Sequence, residues 1–388
     1  MKRIYFDNNA TTPVAPEVLE AMLPCFQETF GNPSSVHRYG REAKVILDQA
    51  RQQVAGLIGA EPNEIIFTSC GTESNNLALR GLIESSSQQR KHLITTEIEH
   101  HAILHPCRAL QKMGVEVTTL KVDGKGQVDP EDVRQAIGPD TLLVSVMMAN
   151  NEIGTLQPIR EIGELARAHD IYFHTDAIQA VGKVPVDVHA LGVDLLSLSG
   201  HKFHAPKGVG ALYVRKGTPL RPLLMGGGHE RNRRAGTENV PYIAGLGAAA
   251  KLARSMTSDG GQDIARLRDY FEQQVMEKIP GVSINGDPGH RLPNTSNLLF
   301  ADVDSEAMVI NLDLSGVACS TGSACTSGSI EPSHVLLALG LSTEEAFQSI
   351  RFSFSRYTTP EEVDDVLQLL PALVRRLRLM TPQGVAKY

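Results

Sequence analysis

At 388 residues the chain is two to three times the commonest domain size, which predicts one large core and a second, smaller one. With 41% hydrophobic and 21% charged residues it has an ordinary globular composition, and its formal net charge of -7 offers no electrostatic basis for binding nucleic acid. No apolar run is long enough to cross a bilayer, and the start MKRIYFDNNATTP turns polar before a signal-peptide core could form, so no membrane association and a cytoplasmic location are expected.

From about residue 16 to 280, helical stretches alternate with short apolar runs at 64–68 (EIIFT), 92–96 (HLITT), 142–147 (LLVSVM), 171–174 (IYFH), 194–198 (DLLSL) and 209–214 (VGALYV). Fully apolar strands alternating with helices predict an α/β fold, a mainly parallel sheet sandwiched by helices. After an amphipathic stretch at 261–278 the pattern changes to strands at 282–285, 295–300, 316–320 and 350–354, with helices at 305–314, 343–349 and 360–379. That reads as a smaller α+β C-terminal domain, so the expected units are 15–255 for the large domain and 1–14 with 256–388 for the small one.

Chemistry-bearing residues cluster at strand ends. In SCGTESNN (69–76), Gly71 and Thr72 would set free backbone N–H groups and a hydroxyl at a helix N-terminus, a phosphate cradle or simply a helix cap. HTDAIQ (174–179) puts Asp176 just past one strand, and SLSGHKFHAPKGVG (197–210) puts Lys202 past the next. Ligands of open parallel sheets gather at the carboxyl ends of strands. An acid and a lysine there suit pyridoxal phosphate, whose ring nitrogen wants a carboxylate and whose aldehyde wants an amine; an ordinary strand-end ion pair is the other reading.

Glu99, His100, His101 and His105 hint at a metal, with 101 and 105 on one helix face, but no further ligand cluster matches them and no metal is expected. The cysteines Cys25, Cys70, Cys107, Cys319 and Cys325 are odd in number and lack CxxC spacing, which argues against disulfides and leaves any functional cysteine as a free thiol. Cys325 lies in ACSTGSACTSGS (318–329), whose glycines and small side chains offer little to pack, so a mobile loop is expected at 320–330. Cys319 ends a predicted strand and is expected to be buried.

FDNNATTP, GNPSSVHRYG, TSCGTESNN, EHHAI, MANNEIGTLQPI, HTDAIQA, SLSGHKFHAPKGVG, RRAGTENV, STGSACTSGS and IRFSFSRYTT occur in this order between residue 4 and about 360. In these motifs the chain resembles the NifS/IscS-type cysteine desulfurases, fold-type I pyridoxal-phosphate enzymes of the aminotransferase class V family. The resemblance implies that Lys202 is the Schiff-base lysine, Asp176 the partner of the ring nitrogen and Gln179 a donor to the ring hydroxyl. It makes Thr72, Ser199 and His201 phosphate ligands beside the Gly71 amide, and Thr237 a ligand to the phosphate of the neighbouring subunit of a homodimer.

By the same resemblance His100 stacks on the cofactor and moves protons, while Asn151, also beside the cofactor, and Arg351 hold the carboxylate of L-cysteine. Cys325 would take the sulfur as a persulfide, leave alanine, and pass the sulfur to an iron–sulfur scaffold or other acceptor protein. A free cysteine is only about 3% thiolate at pH 7, so it needs help, for which His100 is the candidate. A selenocysteine lyase or another pyridoxal-phosphate aminotransferase or lyase is the alternative. Two positions depart from the family pattern: Ser355 stands where glycine is common and His229 where glutamine is common.

Overall fold

The computed structural model describes residues 3–256, 261–321 and 331–380. Of the expected mobile loop at 320–330, residues 322–330 with Cys325 lie outside the described residues, while Ser320 is buried and bridged to Arg351.

Twelve strands are described: β1 (Ile4–Tyr5), β2 (Ile65–Thr68), β3 (His92–Thr96), β4 (Glu116–Leu120), β5 (Thr141–Ser145), β6 (Tyr172–Asp176), β7 (Leu195–Ser199), β8 (Gly210–Val214), β9 (Val282–Ile284), β10 (Thr295–Phe300), β11 (Val317–Ala318) and β12 (Ser349–Ser353). Seven of them form one sheet in the order β2-β8-β7-β6-β5-β3-β4. Every pairing is parallel except those of β8, which runs against both β2 and β7. The mainly parallel α/β sheet read from the sequence is thus present, and β2, β6 and β7 all end at the same edge.

Strand periodicity explains why the runs had to be apolar on both sides. Ile65, Phe67, Val144, Leu196 and Tyr213 face one core, shared with the helices Arg38–Ile58 and Val240–Met256. Their neighbours Ile66, Leu143, Leu195 and Leu212 face the other, shared with the helices Gly71–Ser85 and His101–Lys112. The edge strand β4 escaped the sequence reading: Glu116 and Thr119 are exposed and Val117 and Thr118 only partly covered, so EVTTL carries no continuous apolar signal.

A second core is built on the antiparallel sheet β12-β10-β9 and the helices Gln262–Lys278, Ser305–Leu314 and Pro360–Met380. Phe6 belongs to it, with its ring 4.9 Å from that of Phe354. The parallel pairing of β1 with β11 and the anchor at Phe6 draw the amino-terminal residues into this core. The segment that follows, Asp7 to Thr12, is thereby laid between the two cores. The predicted helix 343–349 stops earlier, at Ala346, because Ser349 already pairs with Leu299 in β12. Ser355 is not among the described non-glycine residues with left-handed φ, so its side chain causes no backbone strain.

Three consecutive residues, Glu230, Arg231 and Asn232, do take positive φ (45, 56 and 62°). Such a kink persists only where surrounding contacts dictate it. Here Arg51 forms a bidentate ion pair with Glu230 at 2.7 and 2.8 Å, and Phe67 N–H donates to the same carboxylate. Both side chains are buried, at 8% and 2% exposure. Replacing Arg51 by Met would strand the Glu230 charge, so Arg51→Met is expected to lose about 3–5 kcal/mol in urea unfolding. The pair variant Arg51→Met/Glu230→Leu should recover more than half of that loss.

Candidate functional site

The sheet edge where β2, β6 and β7 end carries the site. Asp176 is the last residue of β6 rather than a residue past it, and its carboxylate accepts from Asn75 Nδ2 at 2.7 Å and from Ile178 N–H at 3.0 Å. Burial raises its pKa, while these donors and nearby Lys202 pull the other way. A carboxylate buried at that price is stabilised by any protonated nitrogen brought against it.

Next along the edge, β7 ends at Ser199 and a single tight turn, Gly200–Lys202, presents His201 and Lys202. Lys202 Nζ donates to the carbonyls of Asn9 (2.6 Å) and Ala10 (2.9 Å). His201 Nδ1 sits 3.2 Å from Thr11 Oγ1, and burial, then Lys202, pushes its imidazole down to about 4. It is neutral at physiological pH.

Facing this turn is the N-terminus of the helix Gly71–Ser85. Its N-cap residue, Cys70, makes no side-chain cap bond. A Cβ at Gly71 would meet Ile178 at 2.2 Å and Ser199 Cβ at 3.3 Å, so glycine is the residue that lets the helix end approach β7. Ser199 Oγ is buried there without a hydrogen-bond partner. An uncapped helix end, an orphaned hydroxyl and a neighbouring imidazole fit the phosphate of pyridoxal phosphate, and Asp176 with Lys202 fits its ring nitrogen and aldehyde. The donor set therefore suits the cofactor.

The wide cleft beside these residues is lined by Thr72, His100, Asn151 and Glu152 and, from the other side, by Glu331 and His334. His100 caps the helix His101–Lys112: its Nδ1 accepts from Ala102 N–H at 3.0 Å. Burial, then Lys202, pushes it down to about 4, so the ring is neutral and its proton rests on Nε2. His100 thus offers an N–H donor, which can stabilise a thiolate by donating to it. Glu99 turns inward, its Oε1 accepting from Met147 N–H and Thr96 Oγ1, and burial lifts its carboxyl to about 8. The rings of His101 and His105 stack at 4.8 Å. Among the described residues no group of three His, Cys, Asp or Glu side chains is set to hold a metal.

Arg351, in β12, is 3% exposed. It donates to Asn151 O and to Asp7 Oδ1, both at 2.9 Å, while its Nε has no partner. An ion pair is therefore present, with the Nε–H left over. Gln179 Nε2 donates to Asn9 O at 2.9 Å. Thr237 stands apart: it is exposed and does not line the cleft, on a segment whose Arg234 is paired with Glu73 at 2.8 Å. Cys319 is buried, and burial pushes its thiol up to about 12. The residues that flank the undescribed segment both reach the site: Ser320 exchanges backbone hydrogen bonds with Arg351, and Ser333 Oγ donates to Glu152 Oε2 at 2.5 Å.

Sequence reasoning gave no role to Asn9, Asn75, Asp7 or Lys183, which hydrogen-bond directly to Lys202, Asp176, Arg351 and Gln179. The signal available was the polar pair in FDNN, buried at 2% and 1% exposure.

The chain matches the family Aminotransferase class-V over residues 4–366. It is 52% identical over 383 residues to cysteine desulfurase IscS of Dictyoglomus turgidum, covering 98% of this chain and 97% of the relative. With cysteine desulfurase IscS of Methanosarcina thermophila the identity is 51% over 387 residues, covering 100% and 96%. Among solved structures it is similar to a NifS-like protein, with a TM-score of 0.91 at 39% identity, covering 97% of this chain and 100% of that one.

The orphaned Ser199 hydroxyl yields a direct test. Ser199→Ala is expected to leave the melting temperature of the cofactor-free protein unchanged and to weaken pyridoxal-phosphate binding about tenfold, the worth of one hydrogen bond to a charged group, as read by fluorescence titration.

Proposed function

The chain belongs to the aminotransferase class-V family and is a pyridoxal-phosphate-dependent cysteine desulfurase, and from that premise we propose that it converts L-cysteine to L-alanine and carries the sulfur as a persulfide on Cys325. The observation that supports this most is the convergence of Lys202, Asp176, Ser199 and the Gly71 helix end at one sheet edge, beside a cleft lined by His100 and Asn151.

When bound, the cofactor supplies the electron sink that loosens the Cβ–S bond of cysteine. Lys202 is the amine that holds it and, once released from the carbonyls of Asn9 and Ala10, moves the proton at the substrate Cα. Asp176 would keep a proton on the ring nitrogen, Gln179 would donate to the ring hydroxyl, and Thr72, Ser199, His201 and the Gly71 N–H would hold the phosphate. Asn151 and the free donor of Arg351 orient the substrate carboxylate. The Cys325 thiolate, steadied by His100 Nε2–H, attacks the substrate sulfur: the Cβ–S bond breaks, an S–S bond forms, and protonation at Cβ completes alanine. The backbone tie of Ser320 to Arg351 and the Ser333–Glu152 bond support Cys325 as the carrier, since one described flank is fastened to Arg351 and the other lines the cleft.

Residues 15–255 serve in this reading as the cofactor-binding unit, and 1–14 with 256–388 as the unit bearing the cysteine. A homodimer is part of the proposal, with Thr237 reaching the phosphate of the neighbouring subunit. Leu19, Leu23, Phe26, Phe30 and Val36 are exposed apolar side chains within one short stretch, the kind of patch that a partner covers. The free thiols of Cys25, Cys70, Cys107 and Cys319 suit a reducing, cytoplasmic setting. The persulfide sulfur goes on to an acceptor protein for iron–sulfur cluster assembly.

Mass spectrometry after L-cysteine treatment should find one added sulfur on the peptide containing Cys325. Cys325→Ala should retain the cofactor's absorption yet release no sulfide, while Cys319→Ala should work as the wild type does; the added sulfur appearing on Cys319 instead would reverse the assignment.

A further inference from the structure

Lys183 has no part in the roles assigned above, yet it reaches toward the site. Gly182, at φ 80°, turns the chain just before it, and a Cβ there would meet Phe203 at 2.6 Å, next to Lys202. The turn directs the Lys183 amine onto Gln179 Oε1 at 2.6 Å and Asn9 Oδ1 at 3.1 Å. Neither acceptor is charged. Burial, then Lys202 and Arg351, holds this amine well below the usual lysine range. Charged or neutral, the amine has N–H donors enough for both bonds. An apolar side chain of the same length would avoid the desolvation, so the amine is retained for what it touches.

What it touches is an amide with two possible orientations. Gln179 Nε2 donates to Asn9 O while its Oε1 accepts from Lys183. Flipping the amide would set Oε1 against the Asn9 carbonyl and Nε2 against a donor. We propose that Lys183 is a positioning residue for the desulfurase reaction: it fixes the acceptor end of Gln179, so that the remaining Nε2 hydrogen is the group offered to the cofactor's ring hydroxyl. The proposal rests on the reading of Gln179 as that donor. Lys202 also bonds to Asn9, through the carbonyl, so a direct effect of one lysine on the other is the competing account.

A double-mutant cycle on the holoenzyme separates these, with the pH midpoint of the visible absorption band as the readout. A donor to the ring hydroxyl stabilises its ionised form, so losing the donor raises the midpoint. Lys183→Met and Gln179→Leu are each expected to raise it by about one pH unit, the worth of one hydrogen bond to a charged group. The double variant should shift no further than Gln179→Leu alone. Additive shifts would overturn the proposal in favour of direct action on Lys202. A band moved by Gln179→Leu but not by Lys183→Met would overturn it too, leaving the role of Gln179 intact. If neither variant moves the band, the reading of Gln179 itself fails. Should Lys183→Met not fold, Lys183→Gln carries the test: its carboxamide keeps a donor for Gln179, so an unshifted midpoint supports positioning and a shifted one overturns it.

Discussion

One buried asparagine ties the molecule together at the point where its chemistry is done. Every polar atom of Asn9 is engaged: its N–H donates to Ser353 Oγ, its Nδ2 to Thr295 Oγ1 and Asn151 O, its Oδ1 accepts from Lys183 and Asn294, and its carbonyl accepts from Lys202 and Gln179. Residues of both cores thus meet on a side chain that is 1% exposed. The anchor behind it is apolar, since Phe6 sits in the second core and fixes where the following residues run. Packing of a phenylalanine and placement of the Lys202 amine are therefore one constraint.

Burial shapes the electrostatics in the same direction throughout. His100 and His201 are held neutral and Glu99 protonated, while Asp176 keeps paired donors. Such a site offers directed N–H groups and fixed dipoles rather than loose charges, which is the form of electrostatic support that needs no reorganisation during a reaction. The capping bond on His100 Nδ1 illustrates the economy: one contact ends a helix and selects the tautomer.

The large sheet was legible because its strands are buried on both faces, so EIIFT, LLVSVM and VGALYV read as unbroken apolar runs. β4 was not, since an edge strand keeps one face in water. That Lys202, Asp176 and Gly71 meet at one sheet edge was legible because each lies at a strand end or helix start. Asn9, Asp7 and Asn75 were not, because their meaning lies in contacts far along the chain, as with Asp7 and Arg351. No periodicity encodes such a contact. The tautomer of His100 was likewise out of reach, being decided by a backbone N–H two residues on.

The two clasps at Ser320 and Ser333 also bear on the stretch of chain between them. With both ends of the intervening stretch fastened to the scaffold, its length can drift at little thermodynamic expense, each doubling adding only about 0.6 kcal/mol of closure entropy. Insertions between the two ties are therefore expected to leave the fold beneath them intact.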